Sequence, residues 1–242
     1  SGRTLKMSGF GDTHPNRKAS TFTHVYYLRG ETSAMPPTLV SVAVGVLLGV
    51  ALLGTAFDRR SLTVVAVAAA LPDADVFVSL LLPGATNAVF HTAFVPAVAA
   101  VLVYYDTTHR EGSWLRSQYG WRGVRIAWVG LAAYAVAGIG VDLFSSEGVA
   151  LWYPLSDRYY AVVGKFVLST QEGIVQTYIE FGDGWLGLAS PGTTESHHVE
   201  SWVTPGDGGR RLRLIESGWQ AIIVLTAAAA VPAKTLVDRG DR

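Results

Sequence analysis

Two carboxylates, Asp73 and Asp75, stand one residue apart in the stretch Leu71-Pro72-Asp73-Ala74-Asp75, inside an apolar run over residues 62–82. At the centre of a bilayer each carboxylate costs about 2.5 to 3.5 kcal/mol on insertion scales, so two of them nearly cancel the insertion energy of such a segment. A buried cation compensates this cost most directly, because paired carboxylates provide hard oxygen ligands. The stretch therefore indicates a site for a divalent metal ion.

The composition is typical of a membrane protein. Of the 242 residues, 50% are hydrophobic and only 16% are charged, and the apolar residues occur in blocks. The formal net charge is zero and there is no basic stripe, so the composition gives no reason to expect nucleic acid as a partner. The absence of cysteine excludes disulfides, thiolate zinc sites and cysteine nucleophiles. Any metal must therefore be held by oxygen and imidazole ligands.

Five apolar segments approach the ~20 residues that a membrane-spanning helix needs. They cover approximately residues 38–57, 62–82, 87–105, 124–144 and 218–237. We therefore predict a mainly α, multi-pass helical bundle of about five transmembrane helices in the cell membrane, with the lipid bilayer as its surroundings. The basic connections at residues 58–60 and 106–125 are expected to face the cytoplasm by the positive-inside rule.

Further polar residues lie at a depth similar to that of the paired aspartates. Counting helix rise from the basic connections places them roughly 20 to 25 Å deep, and they are Asp73, Asp75, His91, Asp142 and Ser41. Four helices thus place polar side chains in one layer of a slab about 30 Å thick, where they can enclose a cavity open to the outer side. Pro72 is expected to break the second helix at this layer.

Each residue also has an interpretation without a metal. Asp73 and Asp75 are good N-cap residues for a helix that begins after Pro72. His91 fits an interfacial position near the start of the third segment, and Asp142 fits the end of the fourth helix. The common depth of residues from three helices favours a site.

The sequence also resembles a known family. The stretch from Ala70 to Asp75, His91-Thr92, and the stretch from Val141 to Tyr159 look like the motifs of the YdjM-type integral membrane proteins, which are membrane-bound metal-dependent hydrolases. The resemblance covers about residues 35–160.

The resemblance implies a divalent metal ion, with Mg²⁺, Mn²⁺ or Zn²⁺ as alternatives, near the outer side of the bundle. The ligands that it implies are Asp73, Asp75, His91 and Asp142. His91 and Asp142 are also the candidate catalytic residues, with His91 as ligand or base, because a catalytic metal needs a position for water and a nearby group for proton transfer. The implied substrate is an unknown small molecule or lipid.

The sequence departs from the family's pattern at three places, which involve four residues. Ser41 stands where a histidine is expected in the first helix, Thr86-Asn87 stands in place of His-Arg, and Gly138 stands in place of the histidine four residues before Asp142. Fewer imidazoles move the site from a zinc-like set toward an oxygen-rich set that prefers Mg²⁺, Mn²⁺ or Ca²⁺.

These departures also leave other functions open. One alternative is a non-catalytic membrane scaffold or binding protein derived from the family. Ion transport through the carboxylate layer is a weaker alternative, because the first and fifth segments have no charged residue in their apolar spans.

The remaining regions differ in character. Residues 1–34 are polar and are expected to be a disordered N-terminal extension before a four-helix membrane domain at residues 35–144. Residues 145–217 are expected to form a small β-rich extramembrane domain before the final helix and tail at residues 218–242. Its predicted strands cover residues 160–168, 173–181 and 210–215, the last after a hairpin turn at residues 206–209.

This β-rich segment contains the adjacent histidines His197 and His198. On a strand they point to opposite faces, so they cannot both bind one metal without a bend, whereas His198 and Glu200 share a face. A metal role for this group is the minor alternative to the site built on the aspartates.

Overall fold

The computed structural model describes residues 38–145, 147–162, 166–169, 173–176, 190–197, 199, 201, 203 and 214–240. The described part is mainly helical. The predictions for residues 1–34 and for the hairpin turn at residues 206–209 lie outside the described residues.

Seven α-helices occur in this part of the chain. They are α1 (Thr38–Leu52), α2 (Arg59–Ala70), α3 (Asp75–Val78), α4 (Phe94–Tyr104), α5 (Trp114–Ala132), α6 (Val141–Leu143) and α7 (Gly218–Gly240). Short 3₁₀ turns cover Gly54–Ala56 and Pro72–Ala74, and π-helical turns cover Tyr105–His109 and Ala133–Gly140.

Helices α1 and α2 pack closely as a helical hairpin. A Cβ atom added to Gly45 would lie 2.4 Å from the Cβ of Ala69, so only glycine permits this approach. Helix α2 begins where the Asp58 side chain accepts a 2.7 Å hydrogen bond from the Ser61 amide, satisfying one of the free amides of the first turn. The hydrogen bonds from Ser61 lower the pKa of Asp58 to about 2.

The predicted break at Pro72 is present. Helix α2 ends at Ala70, and the segment from Pro72 to Val78 continues at an angle of 52° to it. Proline has no amide hydrogen and cannot continue the α-helical hydrogen-bond ladder. Beyond α3 the chain runs through turns until α4 begins at Phe94.

Helix α5, the second π-helical turn and α6 follow one another as a helical segment of 30 residues, Trp114–Leu143, which is kinked at Gly120, where φ is 63°. Ser113 caps its start by accepting a 3.1 Å hydrogen bond from the Arg116 amide. The middle of this helix buries Ala133 and Ala137 in an apolar core shared with Val65 of α2. Its last residues therefore lie beside the break that follows α2.

The prediction of about five transmembrane helices is wrong. Among the described residues, only Trp114–Leu143 and Gly218–Gly240 are long and apolar enough to cross a membrane, or three spans if the bent pair Arg59–Ala70 and Pro72–Val78 counts as one. Helix α1 has 15 residues and α4 has 11, so they extend only about 22 Å and 16 Å. Residues 87–93, which were assigned to the third span, form turns instead of helix.

The prediction of a β-rich extramembrane domain is also wrong. Between residues 145 and 217 the described residues contain one antiparallel hairpin, β1 (Phe166–Ser169) with β2 (Gly173–Gln176), and two isolated bridges. A two-stranded hairpin has no second layer to pack on and does not constitute a domain.

Candidate metal centre

Three separate segments carry the acidic and imidazole residues that the sequence singles out. Asp73 lies in the 3₁₀ turn after the Pro72 break, and Asp75 is the first residue of α3. His91 lies in the turns before α4, and Asp142 lies in α6. The turn that follows α2 lies beside the end of the helical segment Trp114–Leu143, and the three segments meet inside the protein.

The His91 ring is the centre of this group and is fully buried. Its Nε2 atom lies 2.7 Å from Oδ2 of Asp142 and 3.5 Å from Oδ1 of Asp73. One potential ligand atom from each of these three residues lies within 4.8 Å of the others. Two carboxylates and one imidazole nitrogen thus converge on one point, as metal ligands do.

The polar atoms around this point lack ordinary partners. Both carboxylate oxygens of Asp73, both of Asp142 and the Nε2 atom of His91 are buried, and in the described part of the chain they have no hydrogen-bond partner outside this group. Buried acceptors that approach one another repel unless a cation lies among them. If all three neighbouring carboxylates are ionised, even a protonated His91 leaves a net charge of two negative units in this group. The donor set therefore fits a divalent ion.

Asp75 lies on the opposite side of the imidazole ring. Its Oδ2 atom lies 2.8 Å from Nδ1 of His91 and also accepts a 3.2 Å hydrogen bond from the Ala88 amide. An ionised carboxylate only accepts hydrogen bonds, so this contact places the ring proton on Nδ1 and directs the lone pair of Nε2 toward Asp73 and Asp142. A carboxylate in this position orients a metal-binding histidine. The sequence predicts Asp75 as a ligand; in the structure its Oδ2 atom contacts Nδ1 of His91 and the Ala88 amide.

The turns that carry His91 are held by residues 147–160. The Asn87 side chain donates a 3.1 Å hydrogen bond to the Gly148 carbonyl, and the Thr92 hydroxyl donates one of 3.1 Å to the Leu151 carbonyl. Asn87 has φ 56°, a left-handed conformation that asparagine tolerates better than most residues. Asn87, at a position where the family pattern has arginine, thus positions the His91 segment.

The structure also shows what surrounds Gly138 and Ser41, two other residues that depart from the family pattern. A Cβ on Gly138 would lie 2.5 Å from Cγ of Pro72 and 3.0 Å from the Ala69 carbonyl oxygen. A histidine there would push the long helix away from the Pro72 break, so the glycine allows Asp142 to approach. Ser41 is fully buried in α1, and its hydroxyl oxygen has no hydrogen-bond partner among the described residues.

The second histidine group differs from its predicted form. His197 lies outside the described strands, and its Nε2 atom lies 3.2 Å from Oε2 of Glu147 and 3.1 Å from the Glu147 carbonyl oxygen. Hydrogen bonding to Glu147 raises the pKa of His197. His198 and Glu200, proposed to share a strand face, lie outside the described residues.

Sequence reasoning missed Glu147 and Tyr134. Glu147 is buried, with 3% of its surface exposed, although it stands in a polar stretch that looks solvated. Tyr134 is 5% exposed and its hydroxyl donates to the Phe90 carbonyl. A tyrosine in an apolar span equally fits packing or an interfacial belt, so its type and position carry no signal of this contact.

Comparison with known proteins gives one match. A family model described as YdjM inner membrane protein matches residues 37–204. No curated protein matches the chain, and no solved structure does.

Proposed function

The chain belongs to the YdjM family of inner membrane proteins, and from this membership and the buried aspartate and histidine group we propose that it is an integral membrane metal-dependent hydrolase. The convergence of Asp73, His91 and Asp142, with their buried atoms lacking hydrogen bonds, carries the proposal. In it these three residues hold one divalent ion, Mg²⁺, Mn²⁺ or Zn²⁺. The ion provides Lewis acidity, which polarises a carbonyl or phosphoryl oxygen and lowers the pKa of water.

The remaining roles in this proposal follow from the contacts of the chain's own residues. Asp75 holds the Nδ1 proton of His91 and keeps the ring in one orientation. Oδ1 of Asp142 has no hydrogen-bond partner among the described residues, and Oδ2 faces Nε2 of His91 at 2.7 Å, so one oxygen can bind the ion while the other accepts a proton from water. Asp142 is therefore the best candidate for the general base, whereas both ring nitrogens of His91 are engaged.

We also propose that the substrate is an amphiphile that approaches from the bilayer. The segments next to the site expose large apolar side chains, with Leu81 88% exposed, Phe144 67% and Leu71 50%. In a membrane protein such side chains contact lipid, so an apolar group of the substrate can rest there. In this proposal the site faces the outer side, as the basic connections at residues 58–60 and 106–125 suggest.

Hydrolysis by the purified protein tests the function. After removal of metal with a chelator, Mg²⁺, Mn²⁺ or Zn²⁺ should restore turnover of chromogenic carboxylic and phosphoric esters in detergent micelles, with long-chain esters preferred over short ones. Asp142→Asn should lower kcat at least 100-fold, because it removes a ligand charge and the base. Asp238→Asn, which affects an aspartate paired with Lys234 in α7, should have no effect.

A non-catalytic binding protein is the second candidate, and one observation favours it. Asp75, His91 and Asp142 are each 0% exposed, so a substrate reaches the site only if the surrounding turns open. A protein that binds metal with the predicted dependence on Asp142 but hydrolyses none of these esters would support this candidate. Ester turnover that is independent of metal, or equal in Asp142→Asn, would contradict the hydrolase proposal.

A further inference from the structure

Tyr134 links the long helix to the backbone of the His91 segment. Its side chain lies in the π-helical turn Ala133–Gly140, and its hydroxyl donates a 2.5 Å hydrogen bond to the carbonyl oxygen of Phe90. Phe90 directly precedes His91, so this bond fixes the peptide group from which the histidine side chain extends. The residue is 5% exposed, and water cannot readily replace the hydroxyl.

The long helix thus contacts the His91 segment at two points. Tyr134 holds the backbone before the histidine, and Asp142, eight residues further along the helix, approaches Nε2 of the ring. The π-helical turn Ala133–Gly140 contains Tyr134 and ends two residues before Asp142, so it changes the relative rotation of these two residues about the helix axis. Such π-helical insertions occur frequently at functional sites.

Other contacts fix different parts of the same segment. Asp75 holds the Nδ1 edge of the ring, while Tyr159 donates a 2.6 Å hydrogen bond to the carbonyl of Thr86, five residues before His91. The turns at residues 79–93 have no continuous helical ladder, so individual hydrogen bonds hold them. The bond from Tyr159 holds the chain at Thr86, whereas the bond from Tyr134 holds the peptide group joined to His91. Of the two tyrosines, Tyr134 acts closest to the histidine.

We propose that Tyr134 is a positioning residue of the metal centre, whose hydroxyl holds the Phe90 carbonyl so that Nε2 of His91 points between Asp73 and Asp142. The inference rests on the proposed metal-binding function. It assigns Tyr134 no contact with the ion or the substrate. Removal of the Tyr134 hydroxyl is therefore expected to change metal affinity and ligand geometry.

Tyr134→Phe tests this role because it removes only the hydroxyl oxygen. Metal affinity is measured by competition between the purified protein and a chelating dye for Zn²⁺ and Mn²⁺, and geometry by the visible absorption spectrum of the Co²⁺ form. We expect the metal Kd to rise about 10-fold or more, in line with the loss of other groups that orient ligands, and the Co²⁺ bands to shift. Tyr134→para-aminophenylalanine retains a hydrogen-bond donor and should restore the affinity to within about threefold of wild type, a smaller loss than that of a missing orienting group.

Tyr159→Phe is the matched control. It also removes a buried tyrosine hydroxyl that donates to a carbonyl of the same turns. Tyr159→Phe should lower the thermal stability of the chelator-treated protein. It should leave the metal Kd within about twofold of the wild-type value, well below the 10-fold loss of metal affinity that marks an orienting group. Equal losses of affinity in the two variants, or a wild-type Kd and Co²⁺ spectrum in Tyr134→Phe, would overturn the positioning role.

The same experiment separates this inference from the proposed function. A wild-type protein that retains no divalent ion contradicts both. A wild-type protein that binds one ion, with Tyr134→Phe binding equally well, contradicts the inference alone. If Tyr134→Phe does not fold, the Tyr134→para-aminophenylalanine variant tests the inference instead. A wild-type metal affinity and Co²⁺ spectrum in this variant support the role of the hydrogen-bond donor. A weakened metal affinity in this variant, when it is folded, overturns that role.

Discussion

At the scale of single residues, the three buried aspartates have different surroundings although the sequence presents them alike. The carboxylate oxygens of Asp73 and Asp142 face only Nε2 of His91 and have no other hydrogen-bond partner in the described structure, whereas one oxygen of Asp75 accepts from Nδ1 of His91 and from the Ala88 amide. A carboxylate whose lone pairs are free can bind an ion. One that already receives two hydrogen bonds is better suited to orient the histidine.

This difference predicts graded losses of metal affinity. Asp142→Asn removes a charged ligand and should weaken metal binding more than 100-fold, exceeding the loss expected for an outer residue. Asp75→Asn keeps an oxygen that can accept from Nδ1 but loses the charge, so a loss of about 10-fold is expected. Competition with a chelating dye measures both values. A larger loss in Asp75→Asn than in Asp142→Asn would reverse the assigned roles.

At the scale of helices and turns, the site depends on close packing between the long helix and the end of α2. Gly138 lies against Pro72 and the Ala69 carbonyl, at the place where α2 ends and the chain bends by 52°. The bend moves Asp73 out of the helical register and turns it toward Asp142. Small residues at such contacts allow helices in membranes to approach closely.

Gly138→Ala tests this packing. The added methyl group would meet Pro72 Cγ at 2.5 Å, so we expect a destabilisation of about 1 to 3 kcal/mol together with weaker metal binding. Gly130→Ala in the same helix is the control, since its Cβ would lie at an ordinary 3.7 Å from that of Ala68 and alanine favours helix. Unfolding in detergent should distinguish the two variants. Equal stability of both would show that the Gly138 contact is not required.

Sequence reasoning located the polar residues and the Pro72 break because charged groups in an apolar run and a proline in a helix have strong physical consequences. It could not distinguish a spanning helix from an apolar turn. Residues 87–93 are apolar enough to suggest a span, yet they form turns whose hydrogen bonds come from Asn87, Thr92 and distant carbonyls. Hydrogen bonds between residues far apart in the chain leave no periodic pattern in the sequence. The pairing of Glu147 with His197 leaves none either.

At the scale of the whole molecule, segments far apart in sequence hold the site from outside the helices. Residues 147–160 support the His91 turns, and His197 binds Glu147 beside them. The His197 ring also contacts Tyr159 edge to face, with 5.3 Å between ring centroids. These segments thus form a set of mutual contacts around the turns of the candidate metal centre even though they do not form a β-rich domain.

The pairing of His197 predicts a pH dependence of stability. The pKa of His197 is raised above 6.5 by Glu147, so its stabilising contribution is complete below about pH 6.5 and is lost as the pH rises through the folded-state pKa. The difference in melting temperature between wild type and His197→Gln should therefore be largest near pH 6 and decrease toward about pH 9. Scanning calorimetry in detergent measures it. A difference for His197→Gln that grows with pH would contradict the pairing.

X-ray absorption spectroscopy of the purified, Zn²⁺-loaded protein tests the metal centre most directly. We predict one ion per chain with oxygen and nitrogen ligands at about 2.0 to 2.2 Å and the scattering of a single imidazole, which His91→Gln removes. A protein that retains no zinc after dialysis, or an imidazole signal that persists in His91→Gln, would contradict the assignment of Asp73, His91 and Asp142 as a metal site.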